Sequence, residues 1–147
     1  MHKQEHKNIF DTPNDVAIVI PVNTIGKFNF GMAEVAGALY PDLNLVYKTL
    51  VDEHLIKKGR PLIVNANGRQ FILLPIKTTW NERLKLSTLM SNMEALVDMY
   101  DKHKKSLPTK IAFPRLFAYG NTTLQKALDV VVQQYLDGID ADTMVFG

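Results

Sequence analysis

Three short segments hold the side chains of this 147-residue chain that could do chemistry, and each follows an apolar run. The first reads Pro21-Val22-Asn23-Thr24-Ile25-Gly26-Lys27-Phe28-Asn29-Phe30-Gly31-Met32-Ala33. Its two glycines, with Asn29 between them, describe a loop whose backbone N–H groups can approach an anion ahead of a helix N-terminus. The second reads Pro75-Ile76-Lys77-Thr78-Thr79-Trp80. A lysine amine becomes a nucleophile when burial or a neighbouring cation favours its neutral form. Lys77, just past a buried run and a proline, is placed for that role. A lysine at a strand end is equally a solvated charge, and Asn23 equally a turn-capping asparagine. The third segment, Pro114-Arg115-Leu116-Phe117-Ala118-Tyr119-Gly120-Asn121-Thr122-Thr123-Leu124, is again a polar loop entering a helical pattern. Two helix N-termini converging on one crevice suit a diphosphate; ordinary strand-to-helix turns are the alternative.

The elements that must position these segments follow from hydrophobic periodicity. Val16-Ala17-Ile18-Val19-Ile20, stopped by Pro21, suits a strand buried on both faces. Leu62-Ile63-Val64 and Phe71-Ile72-Leu73-Leu74 flank Asn67-Gly68, the signature of a two-residue hairpin turn. Ile111-Ala112-Phe113, closed by Pro114, and Thr143-Met144-Val145-Phe146 supply two further strands. Leu86, Leu89, Met90, Met93, Val97 and Tyr100 mark one face of a long amphipathic helix. Leu124, Ala127, Leu128, Val131 and Tyr135 mark another, with Thr122-x-x-Gln125 as a capping box and Gly138 as its stop. Gly31 to Leu39 and Leu43 to Leu55 read as weaker helices. Strands alternating with helices, plus one hairpin, predict an α/β fold with a mixed sheet covered on both sides. Ligands then sit outside the carboxyl ends of the strands, which directs attention to the residues after Ile20, Leu74 and Phe113. No repeat, linker or low-complexity tract divides the chain, so one domain is expected over residues 1–147, with residues 1–7 flexible.

Composition narrows the chemistry. There is no cysteine, which excludes disulfides, zinc–thiolate sites, iron–sulfur clusters and a cysteine nucleophile. Seventeen Lys+Arg against fifteen Asp+Glu leave a net charge of +2, too small to announce nucleic-acid binding. The longest apolar stretch, Val16 to Val22, falls well below the roughly 20 residues that span a bilayer. With no basic start leading into an apolar stretch, a cytoplasmic protein without a membrane partner is expected. His2 and His6 have helical ligand spacing but no third ligand nearby, so no metal site is assigned. No serine elbow, dinucleotide fingerprint or Walker loop is present. Lys102-His103-Lys104-Lys105 and His54-Leu55-Ile56-Lys57-Lys58 read as solvated surface. Read functionally, these clusters, or Arg69 and Arg115, would contact nucleic-acid phosphates, and Trp80 would either stack on a base or pack.

Four stretches in order carry a resemblance that periodicity does not supply. They are Asn8-Ile9-Phe10-Asp11, Val22-Asn23-Thr24-Ile25-Gly26, Pro75-Ile76-Lys77-Thr78-Thr79-Trp80, and Ile111-Ala112-Phe113-Pro114-Arg115-Leu116 followed by Gly120-Asn121. Together they resemble a macrodomain, the ADP-ribose-binding α/β/α module. Within that superfamily the chain is similar to the DNA ADP-ribosyl glycohydrolase antitoxins and their phage relatives, from about Asn8 to about Gly138. The resemblance implies a three-layer α/β/α sandwich with a mixed central sheet. It makes Asn8 the adenine contact, with an opening strand at Asn8–Asp11 and Ile9 packing nearby. It places Asn23 against the distal ribose and Lys77 at the anomeric carbon, where a Schiff base with the opened sugar is available. Val22, Gly26, Asn29, Gly31 and Met32 fall to the first phosphate-side loop. Leu116, Phe117, Ala118, Tyr119, Gly120 and Asn121 fall to the second, and Thr78 to the ligand beside Lys77.

Departures from the family pattern concentrate in those loops. Asn29 replaces a small residue and is flanked by Phe28 and Phe30. The family's Gly-Cys-Gly becomes Phe117-Ala118-Tyr119-Gly120, one residue longer, where Tyr119 either stacks on a ribose or covers the site, or tight diphosphate binding is lost. No aspartate stands between Leu116 and Leu124, against an aspartate-dependent mechanism. Three functions follow. One is a hydrolase that removes ADP-ribose from a modified acceptor such as a base in single-stranded DNA, in an antitoxin or anti-defence role. Another is a macrodomain that sequesters ADP-ribose without turnover. The third is a hydrolase of ADP-ribose phosphate or an acetyl ester. All three imply a monomer that uses no cofactor.

Overall fold

A computed structural model describes residues 2–5, 8–27, 31–79 and 81–147. Six strands form one sheet: β1 (His2–Glu5), β2 (Ala17–Asn23), β3 (Leu62–Ala66), β4 (Arg69–Lys77), β5 (Lys110–Pro114) and β6 (Asp142–Phe146). Their order is β1-β6-β5-β2-β4-β3, and every pair is parallel except β3 with β4. Helices α1 (Gly31–Leu39) and α2 (Pro41–Asp52) cover one face, and α3 (Leu86–His103) and α4 (Thr122–Asp137) the other. The result is a three-layer α/β/α sandwich with a mixed sheet, as expected from the sequence.

The alternation of side chains across the sheet builds both cores. Ile18, Ile20 and Val22 of β2, with Phe71 and Leu73 of β4, pack against Ala33, Ala36, Leu43 and Tyr47. Ala17 and Val19, with Ile72, Leu74, Ile111 and Phe113, pack against Leu89, Met93, Leu96, Leu128, Val132 and Leu136. The Asn67-Gly68 hairpin forms with φ of 51° and 74°, positive at both central residues as a type I′ turn demands.

Several expectations need correction. Neither Pro21 nor Pro75 stops its strand, for β2 runs on to Asn23 and β4 to Lys77. β5 pairs with β2 only at Ala17 and Ile18, so Pro21 lies beyond that ladder, where a residue without an N–H is tolerated. Residues 2–5, expected to be flexible, are strand β1, paired with β6 from His2↔Thr143 to Glu5↔Phe146. The expected opening strand at Asn8–Asp11 is instead a 3₁₀ turn over Ile9–Asp11 whose N-cap Asn8 accepts from Phe10 N at 3.0 Å. The capping box at Thr122 is displaced by one residue. Asn121 is the N-cap, accepting from Leu124 N at 2.9 Å, and Gln125 turns back into the preceding loop. No helix among the described residues is long and apolar enough to cross a membrane.

Arg69, proposed above as a phosphate contact, is a structural clamp. It is 3% exposed. Its guanidinium donates to Val16 O (3.1 Å), Thr12 O (3.0 Å), Pro13 O (2.9 Å), Tyr40 Oη (3.2 Å) and Thr12 Oγ1. One side chain thereby pins the hairpin to the loop that leads into β2. Removing it strands carbonyl oxygens in a buried setting, which costs about 1–3 kcal/mol per orphaned group. Arg69→Ala should therefore lower unfolding stability by about 3 kcal/mol or more in urea denaturation, whereas a loss below about 1 kcal/mol would show that the clamp is dispensable.

Candidate functional site

Parallel pairing of β2 with β4 sets the geometry of the site. The register runs Ile18↔Phe71 through Val22↔Pro75, then slips at a bulge so that Asn23 partners Lys77. Bulges bend a strand and re-aim its side chains, and this one falls at the last residue of each strand. Thr24 N closes the junction on Lys77 O at 3.1 Å. Behind β4, Pro75 O accepts from Asn92 Nδ2 at 2.9 Å and from Gly59 N at 3.1 Å, which ties the end of the strand to α3 and to the loop before β3.

These strand ends open onto a cavity of about 380 Å³. Val22, Asn23, Ile76 and Lys77 form its floor, the first residues of α1 (Gly31, Met32, Ala33) one wall, and Arg115, Leu116, Phe117 and Tyr119 another. The first N–H groups of a helix have no intrahelical acceptor, so α1 directs partial positive charge at the space. Lys27, Lys77 and Arg115 line it and, among the described residues, no Asp or Glu does. Among the described residues neither Lys27 nor Lys77 has an ion-pair partner, whereas Arg115 is held by Asp129 through Nη2 at 2.8 Å and Nε at 3.2 Å. The arrangement favours an anionic ligand.

Asn23 is buried and its side chain is heavily used. Oδ1 accepts from Ile25 N (3.1 Å), Lys27 N (3.3 Å) and Tyr47 Oη (2.8 Å), and Nδ2 donates to Lys27 O (2.9 Å). Tyr47, reaching in from α2, has the same hydroxyl 2.5 Å from Asn23 O, so its single proton is shared between the two oxygens of Asn23. Burial pushes its phenol up to about 12, so it stays a neutral donor at physiological pH. The loop from Thr24 to Lys27 is thus folded around Asn23, with Gly26 at φ 85° making the reversal. Its N–H groups at Thr24, Ile25 and Lys27 face the protein rather than a ligand.

No protein-family model and no curated protein matches the sequence. Solved structures do match the architecture. The macrodomain of Thermus aquaticus DarG aligns over 100% of this chain and 98% of that chain at 21% identity with a TM-score of 0.85. The macrodomain of Mycobacterium tuberculosis DarG aligns over 99% of this chain and 97% of that chain at 18% identity, TM-score 0.84. Thermosipho africanus DarTG, solved in complex with ADP-ribose, aligns over 88% of this chain and 37% of that one at 20% identity, TM-score 0.75. The fold is that of a macrodomain.

In this macrodomain fold the residues expected at the site divide into two groups. Val22, Asn23, Gly31, Met32, Lys77, Leu116, Phe117 and Tyr119 do line the cavity. Gly26, Ala118, Gly120 and Asn121 shape the loops without lining it. Gln125 holds the second loop, accepting from Ala118 N and donating to Leu116 O, each at 2.8 Å. Because Asn121 caps α4 behind that loop, the cavity meets one helix N-terminus, that of α1, and not the converging pair. Asn8 is exposed with its side chain engaged in its own turn, and Ile9 is buried in the core beside α1 and α2, so neither lines the cavity. Thr78 is exposed, with its N–H on the Glu82 carboxylate. Asn29, Phe28, Phe30, Trp80 and His6 lie outside the described residues. Of the basic clusters, Lys102 pairs with Asp98 and Lys58 with Glu82 at the surface. Sequence reasoning missed Pro21, Lys27, Ala33, Ile76, Leu84 and the lining role of Arg115. For Lys27 a signal existed, a cation between the two glycines of the first loop.

Glu82 tethers the segment that leaves Lys77. The Thr78 N–H, and after it the Lys58 ammonium at 3.0 Å, hold its carboxyl at about 2, below its ordinary value of 4.5. A carboxylate favoured by folding adds stability above its unfolded pKa, and that share disappears as pH falls toward the folded value. Glu82→Gln should accordingly lower the melting temperature at pH 7, with the gap from wild type closing between about pH 4.5 and pH 2; a gap independent of pH would show that the carboxylate charge plays no part.

Proposed function

We propose that this chain binds ADP-ribose in the cavity at the ends of β2 and β4 and hydrolyses its bond to an acceptor. The observation that carries this reading is the pairing of Asn23 and Lys77 as cross-strand neighbours on the floor of a cavity lined by cations and no carboxylate. A diphosphate answers the α1 N-terminus with Lys27, and the distal ribose then reaches Lys77. The macrodomain fold, and a structural relative solved with ADP-ribose, support the ligand. The sequence resemblance to DNA ADP-ribosyl glycohydrolases favours a base in single-stranded DNA as the acceptor.

Chemistry at this carbon passes through an oxocarbenium-like state, which nearby polar groups stabilise. In the proposed reaction the Lys77 amine, its ammonium proton passed to solvent, attacks the anomeric carbon as the bond to the acceptor breaks, and the acceptor leaves with a proton from the amine. The ring C–O bond of the resulting glycosylamine then opens. Its oxygen takes the remaining N–H proton and a C=N bond forms. Water adds to that carbon, the lysine departs as the free amine, and ADP-ribose is released. Asn23 commits its oxygen and one N–H to the loop. It offers the second Nδ2 hydrogen to a ribose hydroxyl.

A second reading, ADP-ribose binding without turnover, draws on the same side chain, because an amide so fully engaged serves to hold the loop. Turnover of ADP-ribosylated single-stranded DNA separates the two. Lys77→Ala should reduce it by about a thousandfold or more, the scale on which removing a nucleophile acts, while ADP-ribose affinity changes by less than about tenfold. Unchanged turnover would remove Lys77 from the mechanism. Wild-type binding without turnover on DNA, protein or small-molecule substrates would favour the second reading.

A further inference from the structure

We propose that Phe117 and Tyr119 form a stacking platform for a nucleobase at the mouth of the cavity. This rests on the anionic nucleotide ligand proposed above and adds the residues that would recognise its planar ring. Arg115, Phe117 and Tyr119 stand two apart along a segment with no regular secondary structure, which closes in a turn at Tyr119 and Gly120. They form a ladder. The Arg115 guanidinium lies 5.5 Å from the Phe117 ring centroid, and Phe117 lies 5.8 Å from Tyr119 with the ring planes 22° apart.

The base of the ladder is anchored and its top is open. Asp129 grips Arg115 at two nitrogens, and Gln125 ties the intervening loop at Leu116 and Ala118. Phe117 is 45% exposed and Tyr119 91% exposed, although both line the cavity. Gly120, at φ 76°, then turns the chain away, and a Cβ there would meet nothing within 4 Å. The glycine is thus required by conformation and not by crowding.

An open aromatic face attracts a planar π system, and every base has one. The adjoining walls carry Lys27 and Lys77 without an ion-pair partner and, among the described residues, no carboxylate, so the ring that fits is one attached to an anion. A nucleotide satisfies both demands, whereas an apolar peptide satisfies only the first. The base has two possible sources, the adenine of ADP-ribose or a base of the nucleic acid that carries it, and their stacking chemistry is shared.

Calorimetry with ADP-ribose, ribose 5-phosphate and a short oligothymidylate tests the platform on wild type, Tyr119→Ala and Tyr119→Phe. Tyr119→Ala should weaken at least one base-bearing probe by about tenfold, the scale of one stacking contact. Tyr119→Phe should restore it to within about twofold, since the ring and not the hydroxyl stacks. Ribose 5-phosphate should bind both variants as it binds wild type. Loss confined to ADP-ribose assigns the platform to adenine, and loss confined to oligothymidylate assigns it to the acceptor; either supports the proposal. It is overturned if neither base-bearing probe is weakened, or if ribose 5-phosphate is weakened equally. Tyr119-dependent oligothymidylate binding in a protein that ignores ADP-ribose would keep the platform and remove the ADP-ribose reading. ADP-ribose binding indifferent to Tyr119, with oligothymidylate equally indifferent, would do the reverse.

Discussion

The hydroxyl of Tyr47 is the contact on which the site depends. It reaches from the middle of α2 to Asn23 at the end of β2 and bonds both the backbone oxygen and the side-chain oxygen of that residue. Asn23 Oδ1 then has two backbone N–H donors and a share of the Tyr47 proton, and at about 1 kcal/mol net for each full bond the arrangement is worth roughly 2 kcal/mol or more of loop order. That is enough to choose one loop conformation over its competitors. Tyr47 is wholly buried beside Leu43 and Ala36, so the packing of α2 on the sheet and the folding of the loop are one event. The loop in turn carries Lys27 to the cavity, and its closing bond, Thr24 N to Lys77 O, joins the two strand ends that the reading of function requires.

Electrostatics follow from which charges are paired. Arg115 lies at the cavity with its charge largely answered by Asp129, whose carboxyl the guanidinium holds below its usual range. Its contribution is therefore to shape, as the base of the aromatic ladder. Lys27 and Lys77 carry the uncompensated charge among the described lining residues. An anionic ligand, such as the one proposed, would relieve the cost of two like charges around one cavity.

How much of this was legible in the sequence depends on the range of the interaction concerned. The hairpin at Asn67-Gly68 and the buried runs of β2, β4 and β5 are local signals, and they hold. The strand ends fail where a tertiary fact intervenes. Pro21 reads as a stop, yet it keeps its register with Leu74 of β4, and on its other side β5 has already left β2 at that point. Asn121 outcompetes Thr122 as the cap of α4 because Gln125 is drawn into the loop by Leu116 and Ala118. Lys77 and Asn23 stand out by type and by position after an apolar run, but their side-by-side placement rests on a parallel register between segments more than fifty residues apart. Tyr47 left no signal, for it reads as one more apolar position on a weak helix and acquires its role from a partner 24 residues away.

The second loop shows what Phe117 and Tyr119 do physically where a glycine-rich turn would otherwise stand. A glycine-rich turn would let backbone N–H groups approach a phosphate closely. Here Ala118 N is taken by Gln125 and Leu124 N by Asn121, so donors that such a loop would offer are spent internally. The α4 N-terminus is set back from the cavity, and α1 alone presents its first turn there. What the loop offers instead is the area of Phe117 and Tyr119. On the proposed reading, exchanging oriented dipoles for aromatic surface would shift recognition from the phosphates toward the planar part of a ligand. For the ligand proposed, Lys27 and Lys77 would meet the anionic part while Phe117 and Tyr119 would meet the planar part, and stacking energy scales with ring overlap.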